Sequence, residues 1–340
     1  MKNYIQHLSH NLIEKGSLKT CVALSGELQG RHLIWEGEQV LYFEDENELI
    51  WKELLPELES ATSSTIISID GNQYYVEQIT GTPKLIIYGG GHISVPMAQL
   101  GKLLGFEVTV IDDRPEFATR ERFKDADHLI CSDYEQASTE LKDYKNSYYV
   151  VVTPGHKKDL QSVRNILNHS YAYVGMIGSR TKVAKVQKAL LEEGYSEKQR
   201  QELHAPIGLP IGGQTPAEIA VSIAAEIIKE RNEKPTGIIE EDVLNGILSD
   251  TAPMVQAMIV EKRGSSPRGN GSRMLVKEDG SIRGTIGGGS VEFAAIRRSQ
   301  AMLAAGEDFA VEEYILSDAE GATLGMVCGG FIKVVFERVI

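Results

Sequence analysis

The chain has 340 residues, 42% hydrophobic and 24% charged, with a formal net charge of -13, the composition of an ordinary soluble globular protein with room for two or three domains. Phosphate-backbone binding needs clustered Lys and Arg, so the acidic balance argues against nucleic acid as a partner. Cys21, Cys131 and Cys328 are scattered and odd in number, which excludes a disulfide framework or a structural zinc site and leaves no metal ligand set to name.

Residues 1–15 are too polar for a signal-peptide core, and no apolar run approaches the roughly 18 residues that span a bilayer, so a cytoplasmic protein without membrane contact is expected. Tyr4, Ile5, Leu8, Leu12 and Ile13 recur at helical spacing and predict an amphipathic first helix. Short strands are expected at 20–24, 32–35, 40–43, 65–69 and 73–79, with a brief helix at 52–58. Pro83 favours an extended entry into the next segment.

That segment opens on an apolar run from Leu85 to Tyr88, which stops at Gly89, Gly90 and Gly91; an amphipathic stretch follows, then a second apolar run ending in Asp112. Strand, glycine turn, helix, strand and acid form the context in which a G-x-G-x-x-G pattern carries weight. Gly89 permits the tight turn, Gly91 lets a phosphate approach the main chain, and the amides of the new helix point at the anion. His92 adjoins the turn, Ser94 takes the third fingerprint position, and Asp112 is placed to accept from a ribose 2′-OH. Further strands are expected at 128–131, 148–152 and 173–177, with helices at 135–142, 159–167, 181–193 and from Thr215 to about 231. Ser196 with Gln199 and Thr215 with Glu218 have the form of capping boxes. Strict alternation calls for a parallel sheet with right-handed crossovers. At its carboxyl edge stand the loop 153–159 and the pair Ser179 and Arg180, a second phosphate-facing position. His204 leads a proline- and glycine-rich loop whose expected role is structural.

A polar linker is expected at 232–237, and beyond it helices at 242–248 and 291–305 and strands at 255–260, 273–277, 312–316 and 331–339. The two flanking segments share an order: helix first, then a strand, and at the end two similar strands at 71–79 and 330–339. Two copies of one module are therefore expected, the first stripped of its loops and kept for packing or dimerisation. The fold class is α/β, a Rossmann-like parallel-sheet domain flanked by two smaller related α+β modules: 1–82, 83–231, the linker, and 238–340.

Three loops of the last module carry candidate chemistry. Ser266 and Arg268 lie in a Gly-Ser-Ser-Pro-Arg-Gly loop whose guanidinium suits phosphate. Gly287, Gly288, Gly289, Ser290 and Glu292 open a helix with a run of amides, and Cys328 stands before two glycines as a thiol for a soft partner.

Together these stretches resemble the xanthine dehydrogenase accessory proteins of the XdhC/CoxI family: GGGH, VTVIDDRPEFA, GMIGSR and HAPIGLPIGGQTPAEIAVSIAAEI in 84–231, then GSSPRG, GGGSVE and MVCGG. The resemblance implies a maturation factor that binds molybdenum cofactor (molybdopterin), assists its sulfuration and delivers it to a molybdenum hydroxylase apoenzyme. A cysteine desulfurase as sulfur source and a homodimer are implied with it. This sequence departs from the family in placing the Gly-Ser-Ser-Pro-Arg module after the Rossmann domain, in having Ser290 where a cysteine is common, and in keeping only His156 of a two-histidine loop. The alternative is an oxidoreductase using NAD(P) at Gly89, Gly90, Gly91 and Asp112.

Overall fold

The computed structural model describes residues 1–44, 48–141, 145–233, 237–264, 269–316 and 330–339. The chain separates into two compact units, Met1–Gly81 with Pro235–Ile340, and Thr82–Lys234.

Module one of the first unit begins with α1 (Lys2–Lys15), which buries Tyr4, Ile5 and Leu8 and stops at Gly16 in a left-handed cap. Strands β1 (Ser17–Ala23), β2 (His32–Glu36) and β3 (Gln39–Phe43), helix α2 (Glu48–Glu59), and strands β4 (Thr65–Ile69) and β5 (Asn72–Thr80) follow. The strands form an antiparallel sheet in the order β3-β2-β1-β5-β4. Asp70 and Gly71, both at positive φ, make the two-residue hairpin between β4 and β5, the turn that suits strand twist.

The second unit contains β6 (Lys84–Tyr88), α3 (Ser94–Leu103), β7 (Glu107–Ile111), β8 (His128–Ile130), α4 (Tyr134–Glu140), β9 (Ser147–Val151), α5 (His156–Leu167), β10 (Tyr173–Met176), α6 (Arg180–Glu192), α7 (Glu197–Gln201), β11 (Leu203–His204) and α8 (Pro216–Glu233). Its sheet, β11-β10-β9-β6-β7-β8, is parallel throughout. This is the Rossmann order, with the topological switch between β6 and β9. One sheet face buries Leu85, Ile87, Val108 and Val150 with Met97, Ile223 and Ile227; the other buries Ile86, Tyr149 and Val174 with Val163, Val186 and Leu190. Burial on both faces is why these strands read as continuous apolar runs. Both capping boxes form, Ser196 with Gln199 and Thr215 with Glu218.

Module two completes the first unit with α9 (Glu241–Ser249), β12 (Met254–Arg263), β13 (Arg273–Lys277), β14 (Ile282–Gly284), α10 (Gly289–Ala305), β15 (Phe309–Leu316) and β16 (Gly330–Val339). Its sheet order, β14-β13-β12-β16-β15, is that of module one. The registers agree residue by residue: Val22 lies opposite His32 and Thr20 opposite Glu77, as Met258 lies opposite Arg273 and Gln256 opposite Glu337. Even a local turn recurs. Gly30 N–H donates to Ala23 and Ala23 N–H to Arg31, as Gly271 does to Ile259 and Ile259 to Ser272, with Gly30 and Gly271 both at positive φ.

The two sheets pack face to face through matched positions. Val22, Leu24 and Tyr75 meet Met258, Val260 and Val335, and Leu18, Ile34 and Ile79 share a core with Met254, Leu275 and Val339 under α1 and α9. Among these apolar residues lie two buried polar contacts that cross between modules, the ion pair of Glu77 with Arg273 and a hydrogen bond between Glu337 and the His32 ring at 2.7 Å.

Three sequence expectations change. Asn232 and Glu233 belong to α8, and Gly237 is no spacer but a bridge to Ile79 at the edge of β5; residues 234–236 lie outside the described residues. Cys131, expected within an apolar strand, is exposed one position beyond β8, whereas Cys21 is buried. The short strands β11 and β14 carry too few residues to show a period.

A buried pair costs most when one partner is removed alone. Glu77→Gln, which strands Arg273 between the sheets, is expected to lower unfolding free energy by about 3–5 kcal/mol. The double change Glu77→Leu with Arg273→Met should recover most of that loss. Urea unfolding of the two variants checks this, and equal destabilisation would count against the pair.

Candidate functional site

In a parallel sheet all strands end on one edge, so the turns after β6, β7, β9 and β10 are neighbours by topology. Gly89 sits at the switch point with φ 108. A side chain there would come within 2.5 Å of Val152 O and 3.0 Å of Thr153 Cα, so only glycine lets the first turn lie against the loop after β9. The buried Ser94 hydroxyl donates back to Gly89 O, which ties the start of α3 to the turn. Helix α3 begins without a side-chain cap. Gly91 has no atom within 4 Å of where a Cβ would stand, so its main chain is the open approach to the helix start, with His92 exposed beside it.

Asp112 is placed differently from its expected role. It is 0% exposed, and both carboxylate oxygens are engaged: Gly90 N–H donates at 2.6 Å, Arg114 N–H at 2.9 Å, and the Arg114 guanidinium at 2.8 Å to each oxygen. Burial pushes its pKa up, but these donors outweigh burial and hold the carboxyl below its ordinary value. The acid shapes the glycine turn, with both of its oxygens already engaged there. The segment after it folds over the turn: Arg114 lies 3.6 Å from the Phe117 ring centre, and Arg122 donates to Gly90 O at 3.0 Å.

Across the switch point, the buried Asp159 accepts from the Thr153 hydroxyl at 2.7 Å and pairs with Lys182 of α6. Burial raises its pKa despite both partners. Gly155, at φ 105, caps α5. Asp159 thus fixes the loop that leads to His156, a role no spacing announces, because a buried acid in a first helical turn looks like any exposed one. Ser179 caps α6, its hydroxyl accepting from Lys182 N–H at 3.3 Å, and both Ser179 and Arg180 are exposed at this edge.

Module two has its own loop end. The strand directions put the carboxyl ends of β12, β14 and β15 and the start of β16 at one end of the sheet. From these strand ends the chain continues into the three motif segments. Ser266, Arg268 and Cys328 lie outside the described residues. Gly287, Gly288 and Gly289 all have positive φ, a run that only glycine sustains. The amides there are not all free, contrary to expectation. Glu292 accepts from Ile286 N–H at 3.1 Å, Gly288 N–H at 3.2 Å and the Thr285 hydroxyl, so it organises the loop from within. Ser290 is buried in the first turn of α10.

The His204 loop is pinned from α8. Glu226 accepts from Gly208 N–H at 2.9 Å and from Tyr173, and His204 lies 3.8 Å from both Glu226 and Glu230. The Glu226 carboxylate raises the His204 pKa above its ordinary 6.5. A raised histidine pKa gives stability that is complete below 6.5 and is lost as pH climbs through the folded value. The stability of the protein should therefore fall relative to His204→Asn above pH 6.5. Urea midpoints measured across that range test it, and parallel curves would reject it.

Comparison with known proteins follows this division. Residues 85–227 match the XdhC Rossmann domain, and residues 247–314 match the XdhC and CoxI family. Over 157 residues the chain is 34% identical to a probable xanthine dehydrogenase subunit of Bacillus subtilis (strain 168), covering 46% of each chain. It is 32% identical over 157 residues to the uncharacterized protein YqeB of Escherichia coli (strain K12), covering 46% of this chain and 29% of that one. The chain thus spans less than half the length of either relative. A crystal structure described as a xanthine dehydrogenase from Bacillus halodurans shares the fold, with TM-score 0.53, 21% identity and 67% of each chain covered. With its Rossmann domain and its module two both matched, the chain belongs to the XdhC and CoxI family.

Proposed function

We propose that the chain is an accessory factor for a molybdenum hydroxylase of the xanthine dehydrogenase type, which binds molybdenum cofactor, assists its sulfuration and hands it to the apoenzyme. The observation that carries this reading is that β12, β14 and β15 end, and β16 begins, at one end of the sheet of module two, where the chain runs into its three motif loops. A pterin with an anionic tail needs cationic and backbone donors, and a thiophilic metal needs a thiol. Arg268, Ser266, Gly287 and Cys328 are the groups offered by those loops. When bound, the cofactor supplies a dithiolene-held metal that accepts sulfur, with a cysteine desulfurase as the source. Gly288, with nothing within 4 Å of a Cβ, leaves the glycine run open, and Glu292 keeps it in shape.

In the parallel-sheet unit, Gly91, His92, Ser179 and Arg180 form the place for a phosphate or a nucleotide. A nicotinamide-dependent oxidoreductase draws support from the Rossmann strand order. Asp112 weighs against it, since both oxygens are committed to Gly90 and Arg114.

Titration of the purified protein with molybdenum cofactor, and separately with NAD and NADP, decides between the two. Cofactor binding is expected, weakened at least tenfold by Arg268→Ala or Cys328→Ala. Binding of nicotinamide nucleotide alone, unchanged by both substitutions, would overturn the proposal.

A further inference from the structure

Contacts between the two modules are reciprocal. Thr20 and Gln256 occupy matched places opposite Glu77 and Glu337, and His32 and Arg273 occupy matched places on the neighbouring strands. Glu77 of module one takes Arg273 of module two, while Glu337 of module two takes His32 of module one. Such an exchange, in which each glutamate reaches the other module's base, is the signature of a two-fold, isologous interface. One contact joins matched positions directly. Four residues before each glutamate stand Gln73 and Lys333, and Lys333 Nζ donates to Gln73 Oε1 at 3.2 Å.

The face of module two is therefore complementary to itself. A second copy of it would offer Glu337 to Arg273 twice over. It would also set Lys333 of one copy, which Glu313 of its own module pairs at 2.9 Å, against Lys333 of the other, a contact of two ammonium groups that this chain avoids by placing Gln73 there. Specific pairing commonly rests on such a repulsive element against the wrong partner.

Module one has kept this face and lost the loops. Six residues separate Ala23 from Gly30 where eleven separate Ile259 from Gly271. Asp70 and Gly71 alone join β4 to β5, where thirteen residues separate Leu316 from Gly330. The four residues after β3 read Glu44-Asp45-Glu46-Asn47, acidic where module two has Thr285-Ile286-Gly287-Gly288.

We propose that module one is an in-chain stand-in for a second copy of module two, retained for its face and specified over a true copy by Gln73 opposite Lys333. The dimer contact expected from sequence is then supplied inside one chain.

Two arms on the full-length protein test this. In the first, Gln73→Lys sets lysine against lysine and should lower the urea midpoint, and adding Lys333→Gln should restore it, since matched positions tolerate exchange. No recovery in the doubly exchanged chain would overturn the equivalence. In the second, with Cys131→Ser and Cys328→Ser as background, Gln73→Cys with Lys333→Cys should be joined within one chain by a short bis-maleimide crosslinker, which spans the gap that two facing sheets leave. Lys333→Cys alone should give no linked dimer. A linked dimer from Lys333→Cys, or no in-chain crosslink in the double variant, would overturn the proposal.

Discussion

A carboxylate taken out of water between two sheets must meet a cation or a hydrogen-bonding partner there, or the sheets do not close. Glu77 and Glu337 are 1% and 4% exposed, and each finds its base on the opposite module. Much of the first unit follows from that demand. A one-residue slip of β5 or β16 would turn the glutamate to the other face and leave the base stranded. Side chains at Gly237 and Gly271 would overlap the Glu77 carboxylate, so two chain segments must be bare where the pair sits. Tyr4 stacks on His32 at 4.0 Å between ring centres, which ties the first helix to the second pair.

The parallel-sheet unit applies the same rule to its loops. Asp112 and Asp159 are fully buried at the carboxyl edge, Asp112 met by Gly90 and Arg114 of the turn it holds and Asp159 by Thr153 and by Lys182 of α6. In module two, Glu292 does this for the glycine run. Internal carboxylates take up backbone and side-chain donors that would otherwise face a ligand, and the loops are fixed in advance as a result. A ligand meeting a fixed loop gives up less ordering entropy on binding. Open at the Rossmann edge are the main chain at Gly91 and the exposed His92, Ser179 and Arg180.

The sequence was most legible where period and punctuation agreed. Apolar runs ending in glycine placed β6 and its turn, and the shared order of the flanking segments announced the repeat. Partnership was not legible. That Asp112 faces inward depends on Arg114 folding back over two residues, and that Glu77 needs Arg273 depends on a contact spanning most of the chain. Neither leaves a local pattern. Strands β11 and β14 were missed because two or three residues cannot express alternation, and Cys131 was misplaced because strand ends blur by a residue or two.

The order of domains also follows from the first unit. Module one ends where Thr80 N–H donates to Gly237 O at 2.9 Å and Gly237 N–H donates to Gln78 O at 2.7 Å. The chain therefore leaves the first unit and re-enters it at adjacent points on the edge of β5. A compact domain whose ends are close can be inserted at such a point without disturbing the host. The parallel-sheet unit occupies that insertion, between two modules that close on each other. With module one as the pairing partner, placing module two after the Rossmann domain requires no new surface. It requires only that the returning strand carry a glycine at 237, where a side chain would displace the carboxylate of Glu77.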